Sequence, residues 1–360
     1  MKAQLVEIMA CPVCLGKLTL DSQTSISFEQ GVLSCQGCTR QYGIRKGIPV
    51  LLLKDEYWAG THTEMQGELE QVNEVPESEH IKRNRYESWR SWNFIKKITI
   101  PNQPRILDIG GSSGFGSYLF YRFHPEVVII DIVPILLKVA EEFLGNNNIP
   151  ADMVCGGMEW LPFQDNIFDV VLCRQALHHS YNPPHAIREM FRVTKLNGII
   201  LIVDEPCLSI GDRIKSYLSK INNSKIQEIV SVQDKLRDAD FQYIWTDFRR
   251  AIAPLTKKFK VQRSVGFAAN IPTPEGIRYI TNFRPRGPLG KIMNRVLPRG
   301  LGFRGDLNIH AIKTRPVSRN TPQPDYPVVS PDEIEIRDLY PQQKEEYKIL
   351  FPTFFCDVEW

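Results

Sequence analysis

The sequence predicts an α/β protein, a doubly wound and mostly parallel sheet preceded by a small cysteine-stapled domain. Three observations carry that expectation. Ile106 to Gly116, ILDIGGSSGFG, runs a buried-strand signature straight into a glycine-rich turn, with Asp108 at the junction. From there to Val203, apolar runs of strand length alternate with amphipathic stretches of helix length, the order of β-α-β units. Near the amino terminus, Cys11-Pro-Val-Cys14 and Cys35-Gln-Gly-Cys38 form two C-x2-C pairs, and four thiolates complete a closed tetrahedral zinc site.

The elements follow in chain order. Residues 1–55 form the cysteine domain. Two disulfides are the competing reading of its cysteines, but no secretory signal is seen and Cys155, Cys173, Cys207 and Cys356 are scattered. A reducing, cytoplasmic setting and a structural Zn2+ on Cys11, Cys14, Cys35 and Cys38 therefore fit better. Residues 56–79 are polar and acidic, as a linker is, and Ile81 to Ile98 carries Tyr86, Trp89, Trp92, Phe94 and Ile95 at helix-compatible spacing. After the glycine turn, Ser117 to Phe123 reads as a helix whose amino end would face a ligand. Gly110, Gly111 and Gly114 supply the backbone freedom that lets such a ligand lie against the main chain. A second strand, Val127 to Ile130, ends in Asp131, placed to offer an acid to a ribose.

Beyond Asp131, the stripe Ile135, Leu136, Val139, Ala140 and Phe143 marks a helix opened by Pro134. Phe168-Asp169 leads into the strand Val170 to Cys173, and Pro183 to Val193 forms a helix capped by Asn182. A turn at Asn197-Gly198 then precedes the apolar strand Ile199 to Val203. Residues 206–256 read as an inserted lid or substrate element. Phe259 to Gly266 and Leu307 to Lys313 read as closing antiparallel strands within a domain spanning 80–314. Between them, 276–305 carries seven Arg and Lys residues, among them Arg278, Arg284 and Arg304, and no acid. That segment is a solvated loop, an attraction site for an anionic substrate or RNA, or a peripheral membrane contact through Leu289 to Leu297. The tail, 315–360, is Pro-rich and then apolar, suited to wrapping the core or a partner. No apolar run is long enough to span a bilayer.

Spacing decides among the ligands a glycine loop can hold. The glycines at 110, 111, 114 and 116 give no dinucleotide triplet, and no Gly-Lys-Ser/Thr follows to grip a phosphate. What remains, Asp108-x-Gly110 with Gly114 beyond it, resembles motif I of the class I S-adenosylmethionine-dependent methyltransferases, whose pattern is D-x-G-x-G-x-G. Ser112 replaces the middle glycine. The segment Met158 to His179, MEWLPFQDNIFDVVLCRQALHH, is similar to the region around the third and fourth strands of the branch called type 11. The resemblance implies a seven-stranded, Rossmann-like sheet. It also implies that Asp108 orients the loop and the amino-acid portion of S-adenosyl-L-methionine, that Asp131 receives both ribose hydroxyls, that Ile132 flanks the adenine and that Met158 reads it. Gly157 stands where the family's adenine-binding acid is common, and Glu159 matches the family's following glutamate. The first 53 residues or so resemble the small zinc-ribbon protein that activates several RNA and translation-factor methyltransferases.

Transfer from a sulfonium asks mainly for placement, with a base where the acceptor must lose a proton. His178, His179, Asp204 and Glu205 lie at the carboxyl ends of strands, where open α/β sheets bind ligands. The leading expectation is methyl transfer to the O or N of a small or medium metabolite, such as a glycan, lipid-linked or natural-product precursor. An RNA base methyltransferase is the runner-up, weakened by a net charge of only +3. A non-catalytic partner protein is the third reading. Composition and spacing leave the oligomeric state open.

Overall fold

The structure is a computed structural model that describes residues 2–20, 29–54, 91–207, 245–265, 267–273, 276–283, 305–330 and 333. The expected linker, most of the expected insertion, the basic residues from Arg284 to Arg304 and nearly all of the tail beyond 330 lie outside the described residues.

The cysteine domain opens with α1 (Ala3–Ile8) and folds into an antiparallel sheet of β1 (Leu18–Leu20), β2 (Gln30–Cys35), β3 (Gln41–Arg45) and β4 (Ile48–Pro49), in that order. After a helical stretch at 91–95 comes the large sheet. Its first half contains β5 (Arg105–Ile109), α2 (Phe115–Tyr118), β6 (Glu126–Asp131), α3 (Pro134–Asn146) and β7 (Ala151–Cys155). Its second half contains β8 (Phe168–Arg174), α4 (Pro183–Val193), β9 (Thr194–Cys207), α5 (Trp245–Ile252), β10 (Phe259–Val265) and β13 (Gly305–Ile312). A separate hairpin, β11 (Phe267–Thr273) with β12 (Gly276–Phe283), lies between the last two strands in sequence, so the basic stretch begins as a strand.

Seven strands lie in the order β10-β13-β9-β8-β5-β6-β7. Only β13 runs against its neighbours, β9 and β10, which makes the sheet mostly parallel. The near-continuous apolar runs of β5, β6 and β8 follow from burial on both faces. Strand order reverses between β5 and β8, and the crevice beyond their carboxyl ends is where such sheets take ligands.

Two local expectations need correction. The stretch 117–123 is no continuous helix: α2 stops at Tyr118 and a 3-10 turn, Tyr121–Phe123, follows before His124 breaks it at φ 48°. Glycines and serine propagate a helix poorly, and burial of Tyr118, Leu119 and Phe120 sets the path instead. Nor does Asn197-Gly198 separate helix from strand. β9 starts at Thr194 and runs through Asn197, whose φ of 65° accompanies a register shift against β8.

The cysteine domain is joined to the large sheet by main-chain bonds. Val50 bridges Cys155 in parallel, Leu51 N donates to Cys155 O at 2.8 Å, and Ala10 N donates to Pro162 O at 2.9 Å. Ile48, Val50 and Leu52 pack in one core with Ile129, Phe143 and Met153. The edge of β7, which would otherwise present unpaired groups, is thereby covered. The described part of the tail adds a further layer: Val328 bridges Leu53, and Val329 N donates to Leu52 O at 3.0 Å.

One ion network closes the structure. Arg192, fully buried on α4, donates to both oxygens of Glu189 at 2.8 Å and to the Leu161 and Phe163 carbonyls. Arg319 from the tail grips the same Glu189 and the Pro12 carbonyl of the cysteine domain. Replacing Glu189 by Ala removes the carboxylate shared by two buried guanidinium groups, of which only Arg192 keeps an ion pair, to Asp165, and urea denaturation at pH 7 is expected to show a loss of roughly 3 kcal/mol. Burial alone would raise the Glu189 pKa, but Arg192 and Arg319 outweigh it and hold it below the ordinary 4.5. A depressed carboxylate contributes its stability above the unfolded value, and that contribution fades as pH falls through the folded value below 4.5.

Candidate active site

The glycine loop leaves β5 and turns under the loop that follows β8. Gly110 has φ 62°, and a Cβ there would stand 2.4 Å from that of Ala176, so neither the conformation nor the space admits a side chain. Gly114 is also left-handed, at φ 84°, but Gly111 is not. Its value is room: an added Cβ would meet Ile129 at 2.7 Å and the Asp108 carboxyl at 3.0 Å. The third left-handed residue is Ser112, at φ 47°, so the chain keeps the backbone turn where the resemblance expects a glycine.

Two acids hold this turn. Asp131, ending β6, accepts from Ser112 N and Val133 N, each at 2.9 Å, one on each carboxylate oxygen. The lone pairs that remain on both oxygens suit a pair of ribose hydroxyls. Asp108, 1% exposed, accepts from Ser117 Oγ at 2.7 Å through Oδ2, while its buried Oδ1 has no hydrogen-bond partner among the described residues. A buried oxygen in that state is satisfied by an ordered water or by a donor from a ligand. Ile132, next to Asp131, and Met158 are half-buried, and Glu159 is buried, accepting from Ser180 Oγ at 2.6 Å. Glu159 therefore ties the loop after β7 to the loop after β8.

His178 after β8 and Asp204 and Glu205 near the end of β9 belong to a polar cluster at the same end of the sheet. His178 Nδ1 meets Glu205 Oε1 at 2.9 Å, and Leu177 N donates to the other oxygen of this fully buried glutamate at 3.2 Å. With Glu205 as a carboxylate, which only accepts, Nδ1 is the donor of this bond and Nε2 is the ring nitrogen turned away from it. His179 is exposed, its ring 4.0 Å from that of His178, and its charge acts on Asp131. Sequence reasoning missed Ser91 and Arg174: Ser91 Oγ donates to Asp204 Oδ2 at 2.6 Å and accepts from Arg174 Nε at 2.9 Å. A charged residue closing the apolar run of β8 was the one available signal for Arg174.

In the cysteine domain, the sulfurs of Cys11, Cys14, Cys35 and Cys38 all lie within 4.8 Å of one another. A tetrahedral ion with bonds of about 2.3 Å sets its sulfurs about 3.8 Å apart. Gly16 N and Gly37 N donate to Cys14 and Cys35 sulfur at 3.3 and 3.2 Å, and Tyr42 Oη stands 3.0 Å from Cys11 sulfur. The donor set fits zinc.

Residues 107–202 match the family described as "Methyltransferase domain", and residues 2–47 match the "Trm112p-like protein" family. Over residues 107–202 the sheet domain is similar to methyltransferases, which supports the class I S-adenosylmethionine-dependent family. Its relatives include the uncharacterized methyltransferase YcgJ of Bacillus subtilis, 31% identical over 36% of this chain and 53% of that protein. The ubiquinone/menaquinone biosynthesis C-methyltransferase UbiE of Pasteurella multocida is 32% identical over 35% of this chain and 50% of its own length. The chain thus spans about half the length of the curated relatives it matches. Among solved structures, that of Bacillus subtilis YcgJ is 19% identical, covers 62% of this chain and 98% of its own, and has a TM-score of 0.43. The small domain resembles the Trm112p-like family, and its four-cysteine cluster suggests a zinc ribbon.

Within the methyltransferase domain, the motif I acid has an unusual titration. Burial pushes Asp108 up to about 6, against the Ser117 hydrogen bond and the Arg174 charge. A carboxyl protonated below that value cannot receive a ligand ammonium as a carboxylate does. Affinity for S-adenosylhomocysteine, measured by calorimetry, is expected to fall about tenfold from pH 7 to pH 5. Asp108→Asn should bind weakly throughout and flatten the profile; a flat profile in the parent chain would remove Asp108 from ammonium recognition.

Proposed function

We propose that this chain transfers a methyl group from S-adenosylmethionine to a hydroxyl of a small or medium metabolite, with His178 as the base. The observation that carries the reading is the His178–Glu205 pair at 2.9 Å, its glutamate fully buried at the ligand end of the sheet. S-adenosylmethionine supplies an activated methyl on a sulfonium, so the chain's own work is to orient and to remove a proton. The acceptor O–H proton goes to His178 Nε2, the oxygen takes the methyl as the carbon–sulfur bond breaks, and buried Glu205 stabilises the imidazolium. Asp108 and Asp131 hold the two ends of the donor, with Gly110, Gly111 and Gly114 letting it lie close and Ile132 and Met158 beside the adenine. In this reading His179 is a neighbour of the site and not its base.

A carbon acceptor activated by an adjacent hydroxyl is the second reading, favoured by relatives whose names specify C-methylation; the same base serves it. Zinc on the four ribbon cysteines is structural, since every ligand position is taken by the chain. None of Cys11, Cys14, Cys35, Cys38, Cys155 and Cys173 is in a disulfide, which suits a reducing, cytoplasmic setting. Among the described residues no helix is long and apolar enough to cross a membrane.

The test is a transfer assay with methyl-labelled cofactor, offering total RNA and a small-molecule extract in parallel. Label is expected in the small-molecule fraction. Label in RNA would transfer the reading to the RNA base class, and label in neither would favour the non-catalytic one.

A further inference from the structure

The four ribbon cysteines differ in what meets their sulfurs from outside the cluster. Cys14 and Cys35 each receive the backbone N–H two residues on, from Gly16 and Gly37, so those donors belong to the C-x2-C turns themselves. Cys38, half-buried, lies under the charge of Arg40, a residue that solvent reaches and screens. Cys11 is fully buried and meets the backbone N–H groups of Val13 and Cys14. It also meets one side chain from far along the sequence, the phenol of Tyr42, 31 positions away and 3.0 Å from its sulfur.

Tyr42 is there because β3 alternates, turning Tyr42 and Ile44 inward to pack with Leu18 and Leu33. Phenylalanine would fill the same space with no polar atom to satisfy. At 1% exposure the tyrosine hydroxyl has left water and needs a partner, and Cys11 sulfur is the hydrogen-bond partner that the described residues give it. The strand that carries it is braced, since Val50 N donates to Gly43 O at 2.9 Å and Val50 itself bridges Cys155 of the large sheet. The phenol is thereby held in one direction. A thiolate that ligates a metal has no proton and only accepts, so with the site loaded Tyr42 Oη is the donor. A neutral thiol is a weak acceptor, whereas a thiolate makes a charge-assisted bond. The contact therefore gains strength when the metal binds. Four thiolates around a dication also leave the cluster anionic, and a donor aimed at one sulfur draws off part of that charge.

We propose that Tyr42 is a positioning residue of the zinc site, its phenol donating to the Cys11 thiolate and tightening the hold of the ribbon on the ion. This rests on the zinc reading given above and deepens it, adding to the four ligands one side chain that sets how firmly they bind. Gly16 and Gly37 act through main chain that every residue type retains, so Tyr42 is the buried donor that a single substitution can remove without disturbing a ligand.

The experiment uses the full chain. Zinc affinity is measured at pH 7 by competition with a colorimetric chelator, and protein produced with cobalt in place of zinc reports on the thiolates through its sulfur-to-metal absorption. Tyr42→Phe keeps the ring and removes the donor, so zinc affinity should fall about tenfold to a hundredfold. The cobalt band should move to lower energy, because a thiolate without its hydrogen bond gives up electron density more easily; packing alone would not move it. Thr19→Val removes another ribbon hydroxyl, one that donates to Ser34 O at 3.2 Å, and should leave both measures at the parent values. Should Tyr42→Phe fail to fold, replacing every tyrosine by 3-fluorotyrosine makes the phenol a stronger donor, and the band should move to higher energy. A parent chain that binds neither metal would remove the zinc reading and this proposal with it. A parent that binds both, with Tyr42→Phe unchanged, with affinity lowered but the band unmoved, or with no shift on fluorination, would overturn the role of Tyr42 alone.

Discussion

Stripping zinc from the ribbon is expected to destabilise the whole molecule and not the ribbon alone. Structural zinc contributes on the order of 10–16 kcal/mol to small zinc-folded peptides near neutral pH. Here the ribbon's exit segment, Ile48, Val50 and Leu52, is built into the core beside β6 and β7. Loss of the ion would free that segment and uncover the β7 edge. Treatment with a strong chelator, or Cys35→Ser, should lower the calorimetric melting transition of both domains together and increase aggregation. Metal analysis of protein purified without a metal-binding tag should give one zinc per chain. Folded, metal-free protein with an unshifted melt would exclude a zinc role.

Removing the proposed base is the second large effect. General bases contribute typically about a hundredfold to ten-thousandfold. His178→Ala should cut kcat by that range while leaving S-adenosylhomocysteine affinity close to that of the parent, because the proposed cofactor contacts are with Asp108 and Asp131. Glu205→Gln should lower kcat less, since the amide can still position the imidazole but no longer balances its charge. His179→Ala should be nearly silent on kcat. If His179→Ala proved the damaging change and His178→Ala the silent one, the assignment of the base would be reversed.

How much of this was legible beforehand depends on how local each feature is. The strand Ile106–Ile109, its glycine turn and Asp131 are written within one β-α-β unit, where spacing alone fixes geometry. The Asn182 cap is equally local, and its side chain accepts from His185 N at 3.3 Å. Ser112 shows the limit of pattern matching. A serine does not announce a positive φ, and its left-handed backbone is held by the hydrogen bond to Asp131 across the loop. Choosing between His178 and His179 was beyond the sequence, because the choice depends on which ring reaches Glu205, 27 residues away. The Glu189–Arg319 pair spans 130 positions, and the Val50–Cys155 bridge unites two domains; neither leaves a trace in any window of neighbouring residues.

The grip of Arg319 on the Pro12 carbonyl joins residues 307 positions apart. On the ribosome, where chains emerge at roughly 5–20 residues per second, that distance becomes a delay of many seconds. The ribbon can fold around its cysteines almost as soon as it emerges, but its lock onto the sheet must wait until residue 319 clears the exit tunnel. During that interval Glu189 and Arg192 are already paired while the third member of the network is still being made. The ribbon's bonds to Cys155 and Pro162 can form earlier, so translation times only this last clasp, and slowing synthesis late in the message would lengthen the interval in which the ribbon is docked but not clasped.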